Sequence, residues 1–193
     1  MKPSDSHPTD TSVPTEPKRW PTTTIVIHWA SAAMILGLAG AGLVMSDLPP
    51  DSSLRLLLSR SHTVSGMALM VLTVARLVVR ARGRSPAPLP LPAVHRRGVG
   101  VVHGLLYATT FGIGLSGFVT GLRTAWPSYL RGDIATVPDL GHVASREAHE
   151  VLVFVLLGLL ALHVGGVMVQ QLRGGDALPR MLPARKTSDR EGD

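Results

Sequence analysis

The chain has 193 residues, of which 45% are apolar and only 17% are charged, a composition more typical of a membrane protein than of a soluble domain. It contains no cysteine, which excludes a disulfide framework, a thiolate-bound iron–sulfur cluster and covalent haem attachment through a C-x-x-C-H sequence. The formal net charge is +6, and basic residues can serve nucleic acid, anionic lipid or membrane topology, so their positions must decide.

The two ends of the chain differ from its middle. Residues 1–18 are polar and proline-rich and lack the apolar segment of a signal peptide, so they predict a disordered cytoplasmic tail. Residues 184–193 are also polar and predict a second cytoplasmic tail. One membrane domain is predicted between them, over residues 19–183.

Four apolar stretches of about twenty residues follow the first tail, each long enough to cross about 30 Å of hydrocarbon at about 1.5 Å per residue. Prolines separate them, at Pro49 and Pro50, within the proline-rich residues 86–92, and at Pro127 beside Trp126. The apolar runs lack the alternation of a membrane barrel, which favours helices. The predicted fold is all-α, an integral membrane four-helix bundle with helices near 24–45, 62–80, 99–121 and 147–170.

Basic residues are concentrated on one side of these helices. They precede the first helix, fill the second loop and follow the fourth helix, at Lys18, Arg19, Arg80, Arg82, Arg84, Arg96, Arg97, Arg173, Arg180, Arg185 and Lys186. By the positive-inside rule, both termini are predicted to be cytoplasmic. The same placement argues against nucleic-acid binding, because the charges lie in loops at one membrane face. Membrane lipid is the expected surrounding.

Five of the eight histidines fall inside or at the ends of the predicted helices, where an unused ionisable side chain is costly. The direction of each helix gives each histidine a depth. His28 and His103 lie early in helices that start on the cytoplasmic side, so they are predicted at the inner level. His62 opens the second helix and is predicted at the outer level.

The fourth helix contains two of these histidines. His149 is predicted at the outer level, and His163, fourteen residues later, lies about 21 Å deeper at about 1.5 Å per residue. Fourteen residues make nearly four whole turns, so both rings project from almost the same side. The predicted pairs are His28 with His163 at the inner level and His62 with His149 at the outer level.

Two imidazoles that face each other across a helix bundle form the axial ligand set of a low-spin haem b. The four paired histidines therefore predict two non-covalent haem b groups. Because both axial positions of each iron would be filled, the predicted chemistry is reversible one-electron transfer. The alternative is that the histidines join helices or relay protons in a haem-free proton or metal transporter.

Other residues share these levels. Arg76 lies fourteen residues after His62 and on the same side of its helix, where it could pair with haem propionates or extend to lipid headgroups. Gly42 and Gly66 lie near the outer level, where a missing side chain leaves room for a porphyrin or lets helices pack closely.

Several segments carry a pattern found in one family. They are Ile27-His28-Trp29, Ser61-His62 through Gly66, Val74-Ala75-Arg76, Val102-His103-Gly104-Leu105-Leu106-Tyr107, His149-Glu150, Ala161-Leu162-His163 and Leu178-Pro179-Arg180-Met181-Leu182-Pro183. In these segments the chain resembles the prokaryotic cytochrome b561 family over residues 19–183. It departs from a common family pattern at Gln170-Gln171, where many members have two histidines after the last ligand.

The resemblance implies a di-haem cytochrome of the bacterial inner membrane with ligands at the same four histidines and electron exchange with ubiquinone. Some family members are similar to superoxide oxidases, so superoxide or another periplasmic electron donor is an expected partner. His103 matches a family histidine that would assist the inner haem or a quinone through a hydrogen bond, or only join helices. A related alternative is a cytochrome b subunit that anchors a dehydrogenase or hydrogenase.

The predicted outer face also contains arginines. They are Arg55, Arg60, Arg123, Arg131 and Arg146. They could draw in an anionic donor, or they could be solvated loop charges balanced by nearby carboxylates.

Overall fold

The computed structural model describes residues 19–83, 86–89 and 91–183. The two predicted tails, residues 1–18 and 184–193, lie outside these ranges. The described chain contains helices and no strands. The helices are α1 (Thr22–Asp47), α2 (Ser53–Arg82), α3 (Ala93–Arg123), α4 (Trp126–Arg131) and α5 (Ala144–Leu172), followed by a 3-10 turn at Pro179–Met181.

Four of these helices, α1, α2, α3 and α5, are long and apolar enough to cross a membrane. The predicted all-α fold with four spans is therefore confirmed. We call the end of the bundle at which α1 begins and α5 ends the inner end, and the opposite end the outer end.

All four long helices begin earlier than predicted, and α2 and α3 differ most from the prediction. The Ser52 side chain accepts a hydrogen bond from the backbone N–H of Arg55 at 3.5 Å, and this cap starts α2 well before His62. Pro92 immediately precedes α3, where its fixed φ suits the entry to a helix. His62 and His103 consequently lie well inside their helices, with at least two helical turns before each of them.

The third loop contains a helix that the sequence does not predict. Pro127 lies in the first turn of α4, where its missing N–H removes no hydrogen bond, and Gly132 ends the helix with a φ of 91°. Tyr129 is only 1% exposed. The indole N–H of Trp126 donates to the Thr63 hydroxyl at 3.1 Å. Because α4 also contacts both α2 and α3, it lies across the outer end of the bundle.

The long helices form two pairs, α1 with α2 and α3 with α5, which are joined through α2 and α3. Most of the buried residues are small and hydroxylated, whereas most large apolar side chains are exposed, as expected for a bundle in lipid. Ser31, Thr73 and Thr110 each donate to the carbonyl one turn earlier in the same helix. Their hydroxyls are therefore satisfied locally, and they occupy little of the space between the helices.

The segment after α5 folds back across the inner end. The indole N–H of Trp29 donates to the carbonyl of Met181 at 2.8 Å, and Arg19 donates to the carbonyl of Pro183 at 3.1 Å. Arg180 pairs with Asp176 at 2.8 Å and also donates to the carbonyl of Ala87 in the second loop. The inner end is thus closed by contacts between the two ends of the described chain.

Candidate functional site

The outer histidine pair joins α2 to α5. The ring centroids of His62 and His149 lie 6.2 Å apart, with their planes inclined by 58°. Nδ1 of His149 lies 3.0 Å from the carbonyl oxygen of Ile113 on α3. A carbonyl can only accept, so Nδ1 of His149 carries the proton and its Nε2 keeps a free lone pair. This tautomer is the one that a metal ligand requires.

Glycines surround this outer pair. A Cβ at Gly117 of α3 would lie 3.3 Å from ring atoms of His149, tighter than ordinary contact. A Cβ at Gly42 would lie 3.7 Å from Cε1 of His62, and one at Gly66 would meet nothing within 4 Å. Gly117 is therefore the position at which a missing side chain allows a helix to approach a histidine.

The inner histidine pair joins α1 to α5. The ring centroids of His28 and His163 lie 6.4 Å apart, with their planes inclined by 65°. His103 of α3 lies beside them, 5.0 Å from His163 between centroids and nearly perpendicular at 85°. Its Nδ1 donates to the carbonyl of Val99 at 2.7 Å, so its Nε2 is an acceptor. The structure thus brings both predicted pairs together and adds His103 to the inner one.

Arg76 points into the bundle at the inner level. Its Nη2 donates to Nδ1 of His28 at 2.6 Å, so the proton of a neutral His28 ring lies on Nε2 while this bond is made. Its guanidinium carbon lies 5.3 Å from the centroid of the Tyr107 ring. No ion pair within the described ranges includes Arg76. A guanidinium held between helices rather than extended to the membrane surface indicates a use inside the protein.

One cavity contains these inner groups. It is lined by residues from all four long helices, among them His28, Thr73, Arg76, Tyr107 and His163. Cavities of this kind, at facing positions of a helix bundle, are where such folds hold cofactors.

The spacing of each pair suits one metal centre between two imidazoles. With metal–nitrogen bonds of about 2 Å and each ring nitrogen about 1 Å from its ring centre, two axial imidazoles have centroids about 6 Å apart. The observed separations are 6.4 Å and 6.2 Å. Nδ1 of His62 is buried without a hydrogen-bond partner in the described chain. No group of three or more His, Cys, Asp or Glu side chains in that part of the chain could hold a bare metal ion.

Sequence reasoning missed the hydroxyl groups of this site. The chain has two tyrosines, Tyr107 and Tyr129, and the hydroxyl of each is buried without a partner among the described residues. Ser116, on α3, lies 3.3 Å from Nδ1 of His149. A tyrosine inside an apolar helix is a signal that could have been used, since its hydroxyl needs a partner.

Most of the predicted outer arginines have local partners. Arg55 donates to the carbonyl of Leu48 and Arg60 to that of Leu130, while the other two partnered arginines pair with acidic side chains. These ion pairs are Arg131 with Asp133 and Arg146 with Glu150. Arg123, the last residue of α3, has no such partner within the ranges described.

In a comparison with models of known protein families, the chain matches the family described as prokaryotic cytochrome b561 over residues 19–184. The match includes every helix and all six predicted site residues. No curated protein and no solved structure matches the chain.

Proposed function

The chain belongs to the prokaryotic cytochrome b561 family, and we propose that it carries electrons between two haem groups and ubiquinone. Membership makes it a multi-pass membrane cytochrome of the b type, which binds haem b. The proposal concerns the number of haems, their ligands, the partners and the orientation. It places the chain in the bacterial inner membrane with both termini in the cytoplasm.

In this proposal, His28 and His163 are the axial ligands of an inner haem, and His62 and His149 are those of an outer haem. The observation that carries it is the spacing of the two ring pairs, 6.4 Å and 6.2 Å between centroids. Haem iron with both axial positions filled supplies reversible one-electron transfer.

Two more residues have proposed roles at the inner level. Arg76 supplies positive charge for the inner haem propionates, since no carboxylate among the described residues pairs with it. When Arg76 turns from His28 to a propionate, Nδ1 of His28 is free to carry the ring proton, which leaves Nε2 for the iron. His103 assists the inner haem by offering its Nε2 as a hydrogen-bond acceptor beside the ligand His163, because its Nδ1 proton is already donated to the carbonyl of Val99.

Electrons enter at the outer level from a periplasmic donor and leave at the inner level to ubiquinone. If superoxide is the donor, each one loses one electron and becomes dioxygen, and two electrons with two protons convert one quinone to quinol. Arg55, Arg60 and Arg123 are the outer arginines that no carboxylate among the described residues pairs with, so their charges remain available to attract an anion.

Haem quantitation on the purified chain tests the ligand assignment. We expect two haems per chain in the wild type and one in either His62→Ala or His163→Ala, because one axial ligand seldom retains a b haem. His142→Ala is the matched control, since His142 is exposed and lies outside the helices, and it should retain both haems. A wild type with a single haem, or ligand variants that keep two, would refute the assignment.

Pulse radiolysis tests the donor separately. Superoxide generated by the pulse in the presence of ubiquinone should reduce the haems, which is followed at their absorption bands after the pulse. Haems that stay oxidised would rule out superoxide as the donor, and reduction by a purified periplasmic protein would then be the measurement to make.

A further inference from the structure

The hydroxyl of Tyr107 has no use in the function described so far. It lies on α3, its oxygen is buried, and no group of the described residues accepts a hydrogen bond from it. Leaving a hydroxyl buried and unpaired is unfavourable, so the few such groups in a native protein call for a specific explanation.

Tyr107 shares its cavity with the inner histidines and with Arg76. The guanidinium of Arg76 lies over the Tyr107 ring, 5.3 Å from its centroid. The cavity therefore contains a hydroxyl donor and a cation, and the described chain offers no carboxylate to the cation. An anion with several acceptor oxygens is the group that would satisfy both.

We propose that the Tyr107 hydroxyl and the Arg76 guanidinium together bind one carboxylate, a propionate of the haem held by His28 and His163. This inference rests on the proposed function. The cation over the ring keeps the two donors close to each other, and the low dielectric of the bundle strengthens their hold on a charged acceptor. Tyr107 is therefore a haem-binding residue that contacts the periphery of the cofactor rather than its iron.

Tyr129 provides a matched control. Its hydroxyl is also buried and unpaired, but it lies on α4 at the outer end and does not line the inner cavity. Tyr107→Phe and Tyr129→Phe each remove a single oxygen atom and keep the ring. A general loss of stability should affect both variants, whereas loss of a propionate contact should affect only the inner haem of Tyr107→Phe.

The experiment measures haem release from the full chain in nanodiscs to excess apomyoglobin, in the wild type and in a His62→Ala background that keeps the inner haem alone. A hydrogen bond to a charged acceptor predicts that Tyr107→Phe speeds inner haem release by roughly tenfold. Tyr129→Phe should leave that rate unchanged. Equal inner release rates in the wild type and Tyr107→Phe, or equal acceleration in both tyrosine variants, would overturn the proposal.

A second measurement covers the case in which Tyr107→Phe fails to assemble. The wild type is reconstituted with haem or with its dimethyl ester, which lacks the negative charges. The dimethyl ester should dissociate from the inner histidine pair roughly tenfold faster than haem does. Equal retention would again overturn the role of Tyr107 and Arg76. Failure of the di-haem proposal is recognised independently, by a wild-type chain that binds fewer than two haems.

Discussion

The inner and outer levels present the same pair of imidazoles in different surroundings. At the outer level, Nδ1 of His149 donates to the carbonyl of Ile113, and the groups near the pair are the Ser116 hydroxyl and the glycines Gly42 and Gly117. At the inner level, Nδ1 of His28 faces the Arg76 guanidinium, and the Tyr107 ring lies beside that guanidinium. In the proposed function each pair binds one haem iron, and these neighbours adjust how readily that iron is reduced.

The sign of that adjustment follows from charge. A carbonyl that accepts from a ligand N–H makes the imidazole a stronger electron donor, which favours ferric iron. A cation near the iron favours the ferrous state, because it repels the extra positive charge of ferric iron. Within the proposed function, the inner haem therefore has the higher potential, and electrons run downhill from the outer level to the inner one.

The largest expected effect comes from filling the space beside the outer ligand. In Gly117→Val, the first added carbon would already lie 3.3 Å from the ring of His149, so the branched side chain should displace that ring. We expect the outer haem to be lost and the inner haem kept, which halves the haem content. Gly104→Val, on the same helix where a Cβ meets nothing within 4 Å, is the control and should retain both haems. Full haem content in Gly117→Val would contradict the outer assignment.

Removing the inner cation should have the next largest effect. Arg76→Gln should lower the potential of the inner haem by about 59 mV, a tenfold change in its oxidation equilibrium, because ferric iron is no longer destabilised by the guanidinium. Arg80→Gln is the control, since Arg80 lies one turn along α2 with its guanidinium 5.5 Å from the ring centroid of Trp20. Redox titration followed at the haem absorption bands gives both values. An unchanged inner potential would mean that Arg76 does not act on the haem.

A smaller effect is expected from the hydroxyl at the outer level. Ser116 donates to the carbonyl of Ile113 at 2.9 Å and so competes with His149 for the same acceptor. Ser116→Ala should strengthen the histidine bond and lower the outer potential by roughly 28 mV, about threefold in the oxidation equilibrium. Ser61→Ala, where an exposed hydroxyl bonds within its own helix, should change neither potential. A rise in the outer potential would show that the competition argument is wrong.

The smallest effects are expected from two single hydrogen bonds, one at each end of the bundle. Trp29→Phe removes the donor to Met181, a contact between residues 152 positions apart, and Trp126→Phe removes the donor to Thr63. Each loss should cost about 1 kcal/mol of local stability. Hydrogen exchange should quicken in the segment around Met181 for the first variant and in α4 for the second. Faster hydrogen exchange at both ends in both variants would indicate that each substitution destabilises the whole bundle rather than one end of it.

Much of this architecture could be read from the chain alone. The four spans follow from the length of the apolar runs, because a bilayer sets the number of residues that must be apolar. The level of each histidine follows from its position along a helix, since the rise per residue is fixed. That is why His149 and His163 could be placed on one side of one helix, and why a partner for each could be named from the other helices.

Contacts between distant segments were decided only by the tertiary structure. Whether His103 lies against His163 depends on the rotation of α3 relative to α5, which no periodicity within α3 contains. The same holds for the closure of the inner end by Met181 and for the burial of the two tyrosine hydroxyls. Spacing along one helix fixes depth and direction, but which side chains meet between helices is set by packing among all of them, and those contacts govern the chemistry around each histidine pair.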